Sequence, residues 1–114
     1  DDPSMRAYMN DLLQYFGCQC DAANSVAHAL ALAVSQAPDL LISDYRLNEP
    51  LNGIEAITAL RAVVGHNVPA MLITGDTTPD LIKETQNNNI YILQKPLSAS
   101  ELQLGLMKML EIIH

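Results

Sequence analysis

The chain has 114 residues, 49% of them hydrophobic, which is enough apolar sequence for one domain with one core and too little for two. Its formal net charge of −7 repels the phosphates of nucleic acids, so we expect no direct contact with nucleic acid. No apolar stretch approaches the roughly 18 residues of a membrane span, and we therefore expect a cytoplasmic domain without membrane contact.

Helices and strands are predicted to alternate along the chain. The segment from Pro3 to Phe16 has apolar side chains at helical spacing, and Cys18 to Ala22 is a short predicted strand. The predicted elements that follow are a helix over 25–35, a strand over 40–43, a helix over 52–64, a strand over 70–74, a helix over 78–86, a strand over 90–94 and a last helix from 98 onward. Strands with few polar residues, separated by amphipathic helices, are typical of a doubly wound α/β fold with a parallel sheet.

Two of the predicted helices begin with a capping box, in which the residue before the helix and a glutamate three positions later exchange hydrogen bonds. The pairs are Asn52 with Glu55 and Ser98 with Glu101. The last helix directs one apolar stripe inward, formed by Leu102, Leu106, Met109, Leu110 and Ile113. Further apolar residues widen this face and leave open a dimer or partner surface on the last helix, namely Leu97, Leu104, Met107 and Ile112.

Polar residues stand where the apolar runs should open into a crevice. The acid pair Asp1 and Asp2 begins the chain, Asp44 and Lys95 each follow a predicted strand, and Thr74 ends one. Ligands of an open doubly wound sheet bind beyond the carboxyl ends of its strands. A carboxylate that accepts a phosphoryl group needs other acids for a divalent cation, a hydroxyl on one phosphoryl oxygen and a cation on another. Together the five residues predict a phosphoryl-transfer site.

Each of these residues by itself has a simpler interpretation. An aspartate at a strand end usually caps a turn, a threonine there satisfies a backbone group, and a lysine is usually a solvated surface charge. Only their combination in one chain favours a phosphoryl-transfer site. The three histidines, His28, His66 and His114, have no acidic or cysteine partner nearby in sequence, so we expect them to be exposed and without a role.

Five ordered segments carry a resemblance to a known family: DDPSMR at 1–6, LISDYRL at 41–47, GIEAI at 53–57, LITGD at 72–76 and QKPL at 94–97. Over essentially its whole length the chain resembles the receiver domain of two-component response regulators and hybrid sensor histidine kinases. The resemblance implies a flavodoxin-like parallel sheet of five strands in the order 2-1-3-4-5.

The resemblance also implies a role for each candidate residue. Asp44 would accept a phosphoryl group from a phosphohistidine on a histidine kinase or histidine phosphotransfer domain. Thr74 would donate a hydrogen bond to that group, and Lys95 would neutralise it. Mg²⁺ would be held by Asp44, by the backbone carbonyl of Arg46 and by the acids Asp1 and Asp2. We thus expect a signalling domain rather than an enzyme, one that phosphorylates itself and loses the phosphoryl group slowly.

The family pattern places one strand before the first residue. With Pro3 as the anchor, Asp1 aligns with the direct metal ligand and Asp2 with the helix-capping position, so the first strand would precede Asp1. Because a sheet without its middle strand would expose two unpaired edges, we expect the natural protein to have residues upstream. The receiver domain should then occupy 1–114, with its first strand missing or truncated.

Two departures from the family pattern refine this interpretation. The loop from Asp44 to Gly53 is one residue longer than in the commonest single-domain regulators and has its proline at Pro50, which favours a parent protein of the hybrid histidine kinase type. The family often has an aromatic switch residue three positions before the lysine, where this chain has Ile92. Because strand side chains alternate between faces, Tyr91 cannot take its place.

Two other functional classes are left open. A phosphatase with an aspartate nucleophile would have a second aspartate two residues on as general acid, and the presence of Arg46 there disfavours it. A degenerate receiver would act only as a protein–protein docking module. The retention of Asp44, Thr74 and Lys95 argues against that alternative.

Arg46 and Asp76 each lie two residues beyond a site residue, at the ends of adjacent predicted strands. An ion pair between them would overhang the phosphoryl group and shield the acyl phosphate from water. We therefore predict slow autohydrolysis, and Arg46→Ala and Asp76→Ala should each shorten the half-life of the phosphorylated domain severalfold. Intact mass at intervals after removal of the donor measures this half-life, and a native half-life in both variants would contradict the pair.

Overall fold

Four helices and three strands make up the part of the chain that the computed structural model describes, residues 25–47, 50–75, 77–95 and 98–113. In chain order they are α1 (Val26–Ser35), β1 (Leu41–Asp44), α2 (Gly53–Val64), β2 (Ala70–Thr74), α3 (Pro79–Asn87), β3 (Ile90–Gln94) and α4 (Ala99–Ile113). The predicted alternation is confirmed for this part, and the helix and strand predicted over 3–16 and 18–22 lie outside it. None of the described helices is long and apolar enough to cross a membrane.

The three described strands form one parallel sheet in the order β1-β2-β3. Leu41 pairs with Ala70, and Ala70 pairs with Ile90, so the amino ends of the strands are level with one another. All five residues of β2 are buried. This strand has a neighbour on each side and helices on both faces, which explains why its sequence is a continuous apolar run up to Thr74.

Side chains alternate between the two faces of the sheet and form two hydrophobic clusters. The first cluster lies between the sheet and helices α1, α2 and α3, and it contains Ala33, Leu41, Ile54, Ile57, Leu60, Val68, Ala70, Leu72, Leu81 and Ile90. The second lies between the sheet and α4, and it contains Met71, Ile73, Leu93, Leu102, Leu106 and Met109. The predicted inward stripe of α4 is confirmed for Leu102, Leu106 and Met109. The side chains of Leu110 and Ile113 lie outside the description.

Ile92 and Tyr91 lie on opposite faces of β3. Ile92 packs against the first cluster, and Tyr91 packs against the second, where the ammonium of Lys108 is 5.8 Å from its ring centroid. The sequence argument that Tyr91 cannot occupy the place of the family's aromatic switch residue is therefore confirmed. An aliphatic side chain occupies that place.

Both predicted capping pairs form, but they differ in detail. The Asn52 side chain accepts a hydrogen bond from Glu55 N at 2.9 Å, and the Glu55 carboxylate accepts one from Asn52 N at 2.9 Å, so this capping box is complete. At Ser98 the hydroxyl makes both bonds: it accepts from Glu101 N at 3.1 Å and donates to the Glu101 carboxylate at 3.0 Å. A hydroxyl can do so because it is donor and acceptor at once, unlike the side-chain oxygen of asparagine.

Arg61 of α2 connects two loops at the amino-end edge of the sheet, the one before β2 and the one before β3. Its guanidinium donates to the carbonyl of Val68 at 2.9 Å, to that of Asn88 at 2.6 Å and to that of Asn89 at 3.0 Å. Asn89 has a φ of 55°, the left-handed conformation in which the chain turns from α3 into β3. Burial lowers the pKa of Arg61, but an arginine stays protonated at physiological pH. All three carbonyls therefore accept hydrogen bonds from a single guanidinium that stays charged.

Replacement of Arg61 should cost stability. We expect Arg61→Ala to lower the free energy of unfolding by about 2–4 kcal/mol, because it removes three charge-assisted hydrogen bonds, those to Val68 O and Asn88 O being part-buried. Arg61→Lys should recover only part of this loss, since an ammonium cannot reach three diverging acceptors. Lys108→Ala, which removes an exposed cation above a ring, should change it by less than about 1 kcal/mol. Urea unfolding followed by circular dichroism measures these differences, and equal stability of the Arg61 and Lys108 variants would contradict the expectation.

Candidate functional site

Three of the predicted site residues meet at the carboxyl-end edge of the sheet. Asp44 is the last residue of β1, Thr74 is the last of β2, and Lys95 directly follows β3. The sheet hydrogen bonds continue past these ends, since Tyr45 N donates to Ile73 O at 2.9 Å and Lys95 N donates to Thr74 O at 2.8 Å. The backbone that carries all three residues is therefore fixed by the sheet.

Lys95 reaches across the sheet to Asp44. Its ammonium lies 3.1 Å from Asp44 Oδ1, although β1 and β3 are separated by β2 and so by two strand spacings, about 10 Å. Only a long side chain spans that gap. The Asp44 side chain is 21% exposed and that of Lys95 is 45% exposed, so both can be approached from solvent. Thr74, on the strand between them, is 3% exposed.

Of the remaining predicted site residues, the structure describes only Arg46. Arg46 is exposed in the loop after β1. Asp1, Asp2 and Asp76 lie outside the described residues, so the predicted acid pair and the predicted contact between Arg46 and Asp76 stay predictions. His28 and His66 are exposed, as predicted.

The described donors match magnesium in kind. Mg²⁺ prefers oxygen ligands, keeps several waters and is usually held by one or two carboxylates together with phosphate oxygens. The part-exposed Asp44 carboxylate and the nearby backbone carbonyl of Arg46 are donors of this type. Within residues 25–47, 50–75, 77–95 and 98–113, no group of three or more histidine, cysteine or acidic side chains could hold a metal. A site of this sparse kind would need the acids Asp1 and Asp2.

The segment after Thr74 passes directly into α3. Gln94 donates from Nε2 to Thr77 Oγ1 at 3.4 Å, which connects the end of β3 to this segment. The side chain of Thr78 then caps α3 by accepting from Leu81 N at 3.3 Å. These two hydrogen bonds hold Thr77 to the end of β3 and Thr78 to the first turn of α3.

Two cavities of the described part of the chain lie away from the three site residues. Both are lined by Arg61, Asn67 and Asn89 and lie around the opposite end of the sheet. No carboxylate side chain lines either of them. We therefore infer function from the side chains at the carboxyl-end edge rather than from the volume of these cavities.

Sequence reasoning missed one residue of this edge. Ser43, the residue before Asp44, donates its hydroxyl hydrogen bond to Asp44 O at 2.8 Å and is half-buried. A polar residue inside the otherwise apolar run of β1 was the available signal. Its partner could not be read from the run, because a strand serine can bond to several backbone groups.

The chain belongs to the response regulator receiver domain family, whose family model matches residues 1–106. Receiver domains are the phosphoacceptor domains of two-component signalling, act with histidine kinase or phosphotransfer partners and generally depend on Mg²⁺. The predicted family and its flavodoxin-like fold are thus confirmed.

Similar solved structures agree with this fold. The chain is similar to the chemotaxis protein CheY4 of Vibrio cholerae, with 25% identity and a TM-score of 0.78 over 95% of this chain and 91% of that one. It is similar to the receiver domain of NtrX from Brucella abortus, with 23% identity and a TM-score of 0.79 over 95% and 91%. A two-component response regulator from Clostridium difficile has 21% identity and a TM-score of 0.80 over 96% and 89%. No curated protein sequence matches the chain.

The contact between Lys95 and Asp44 should contribute little to stability. Exposed ion pairs are worth about 0.2–1 kcal/mol, so Lys95→Gln should lower the free energy of unfolding by less than about 1 kcal/mol. Urea unfolding at low and at moderate salt measures this difference. A loss of more than about 2 kcal/mol would show instead that the lysine mainly stabilises the fold.

Proposed function

We propose that Asp44 accepts a phosphoryl group from a phosphohistidine on a histidine kinase or a histidine phosphotransfer domain. The observation that carries this proposal is the 3.1 Å contact between the ammonium of Lys95 and Oδ1 of Asp44 across the carboxyl-end edge of the sheet. In that position the ammonium lies beside a carboxylate oxygen of Asp44. In an acyl phosphate this oxygen would be either the one bonded to phosphorus or the carbonyl oxygen next to it.

The transfer is a displacement at phosphorus. An oxygen of the Asp44 carboxylate forms a bond to phosphorus while the bond from phosphorus to the histidine nitrogen breaks, and that nitrogen keeps the electron pair and takes up a proton. The part-exposed Asp44 side chain allows a partner histidine to approach. Apart from the bond that Asp44 forms, the protein takes no covalent part in this step. Its contribution is to position the carboxylate and to offset charge on the phosphoryl oxygens.

Two side chains would stabilise the phosphoryl group. Lys95 would move its ammonium from the Asp44 carboxylate to a phosphoryl oxygen, and Thr74 would donate a hydrogen bond from its hydroxyl. Asp44, the backbone carbonyl of Arg46 and the acids Asp1 and Asp2 would hold Mg²⁺, whose charge offsets that of the phosphoryl oxygens. These roles assign a function to each of the predicted site residues.

We also propose a setting for the domain. Residues 1–114 would form one cytoplasmic receiver domain of a hybrid histidine kinase or phosphorelay, without direct contact to nucleic acid or membrane. It would phosphorylate itself from small phosphodonors and lose the phosphoryl group slowly. The exposed Leu104 and Met107 of α4, 66% and 43% accessible, support the predicted dimer or partner surface on the last helix.

Phosphorylation in solution tests the proposal. Incubation with acetyl phosphate and Mg²⁺ should add the mass of one phosphoryl group, and Asp44→Asn or removal of Mg²⁺ with EDTA should abolish the adduct. Asp39→Asn provides the matched control, because Asp39 is an exposed acid that precedes the same strand and lies away from the edge. Intact mass spectrometry measures the adduct.

The outcome also separates the alternatives. A native chain that forms no adduct would overturn the proposal in favour of a docking module. Turnover of a phosphomonoester without a lasting adduct would indicate a phosphatase instead. An adduct that persists in Asp44→Asn would show that another residue is the acceptor.

A further inference from the structure

The peptide group between Asp44 and Tyr45 is held on both of its sides. Its N–H, from Tyr45, donates to Ile73 O at 2.9 Å and so continues the pairing with β2. Its carbonyl, from Asp44, accepts the hydroxyl hydrogen bond of Ser43 at 2.8 Å. Rotation of this peptide group would break both bonds, so its plane is fixed.

Gly53 packs against the same carbonyl. A Cβ atom added at this first residue of α2 would overlap Asp44 O, would lie 3.0 Å from the Asp44 carbonyl carbon and would come within 2.6 Å of Leu72 Cδ1. Gly53 N also donates to Tyr45 O at 2.7 Å. The backbone of α2 thus touches the end of β1 directly, with no side chain between them, and only glycine permits this approach.

These contacts act on the backbone of the proposed phosphoacceptor. The direction of the Cα–Cβ bond of Asp44 follows from the peptide groups on either side of its Cα, and the carboxylate is one further bond away. A change of the Asp44–Tyr45 peptide plane would therefore shift Oδ1 relative to the ammonium of Lys95, now 3.1 Å away. Misplacement of a reacting atom by about 1 Å can lower a rate about 100-fold.

We propose that Ser43 and Gly53 are positioning residues for Asp44, which they hold by fixing its carbonyl from two directions. This inference rests on the proposed phosphoryl transfer to Asp44. The contacts that Ser43 and Gly53 make here are with the backbone of Asp44 and Tyr45, not with the Asp44 carboxylate. They act through the Asp44 peptide, and they should change how fast the carboxylate reacts rather than how well the small donor binds.

Two variants of Ser43 test the inference without altering the core. Ser43→Ala removes the hydroxyl, and Ser43→Thr keeps it on a residue that strands favour. With acetyl phosphate as donor, the maximal rate constant for adduct formation in Ser43→Ala should fall about tenfold at an unchanged donor KM, because orientation rather than binding is lost. Ser43→Thr should restore the rate to within about twofold of native.

A pair of glycine variants supplies the second arm. Gly53→Ala should lower the rate at least as much as Ser43→Ala. Gly105→Ala is the matched control, since Gly105 is also a buried helical glycine, but the three atoms nearest to an added Cβ belong to the side chains of Leu93 and Met71, at 3.0 Å or more. Gly105→Ala should keep the native rate. Urea unfolding of each variant establishes that the folded protein is assayed.

The results separate this inference from the proposed function. A native chain without an adduct would overturn both. A native chain that is phosphorylated at Asp44, together with Ser43→Ala at the native rate, would overturn the positioning role alone, even if Gly53→Ala failed to fold. A slow Ser43→Ala variant with a raised donor KM, or a Ser43→Thr variant equally slow, would also overturn it.

Discussion

Parallel pairing of β1, β2 and β3 is the constraint on which the rest of this structure depends. It places the carboxyl ends of three strands at one edge, so residues 30 and 51 positions apart along the chain, Asp44 with Thr74 and with Lys95, come together without any long loop to arrange them. It also makes side chains alternate between two faces. Each face is then covered by helices, and the sheet becomes the rigid support of the site.

The two edges of the sheet are stabilised in different ways. At the amino-end edge, the part-buried guanidinium of Arg61 holds three backbone carbonyls. At the carboxyl-end edge, a lysine and an aspartate form one part-exposed ion pair. Exposed pairs contribute little to stability, whereas charge-assisted bonds to part-buried carbonyls contribute more. The stable edge therefore lies away from the proposed chemistry, and the reactive edge retains side chains that can exchange partners.

A receiver domain must also pass a change at its site to a partner. The segment after Thr74 leads through Thr77, which accepts from Gln94, and Thr78, which caps α3. Ile92, on the face covered by the first cluster, occupies the place where the family often has an aromatic residue. A branched aliphatic side chain held in a cluster has few rotamers to change. Ile92 therefore gives this chain no aromatic ring to rotate at that place.

The elements and their faces could be predicted from the amino-acid sequence, because both follow from local spacing. Ala70–Thr74 and Ile90–Gln94 were predicted to the residue, and Asn52 with Glu55 identified the start of α2. The candidate residues Asp44, Thr74 and Lys95 were also found, since each follows an apolar run. Only the tertiary structure decided that Lys95 spans two strands to reach Asp44, that Ser43 donates to the Asp44 carbonyl, and that the backbone of Gly53 touches it. Such contacts depend on strand order and on the approach of separate backbones, and spacing along one chain encodes neither.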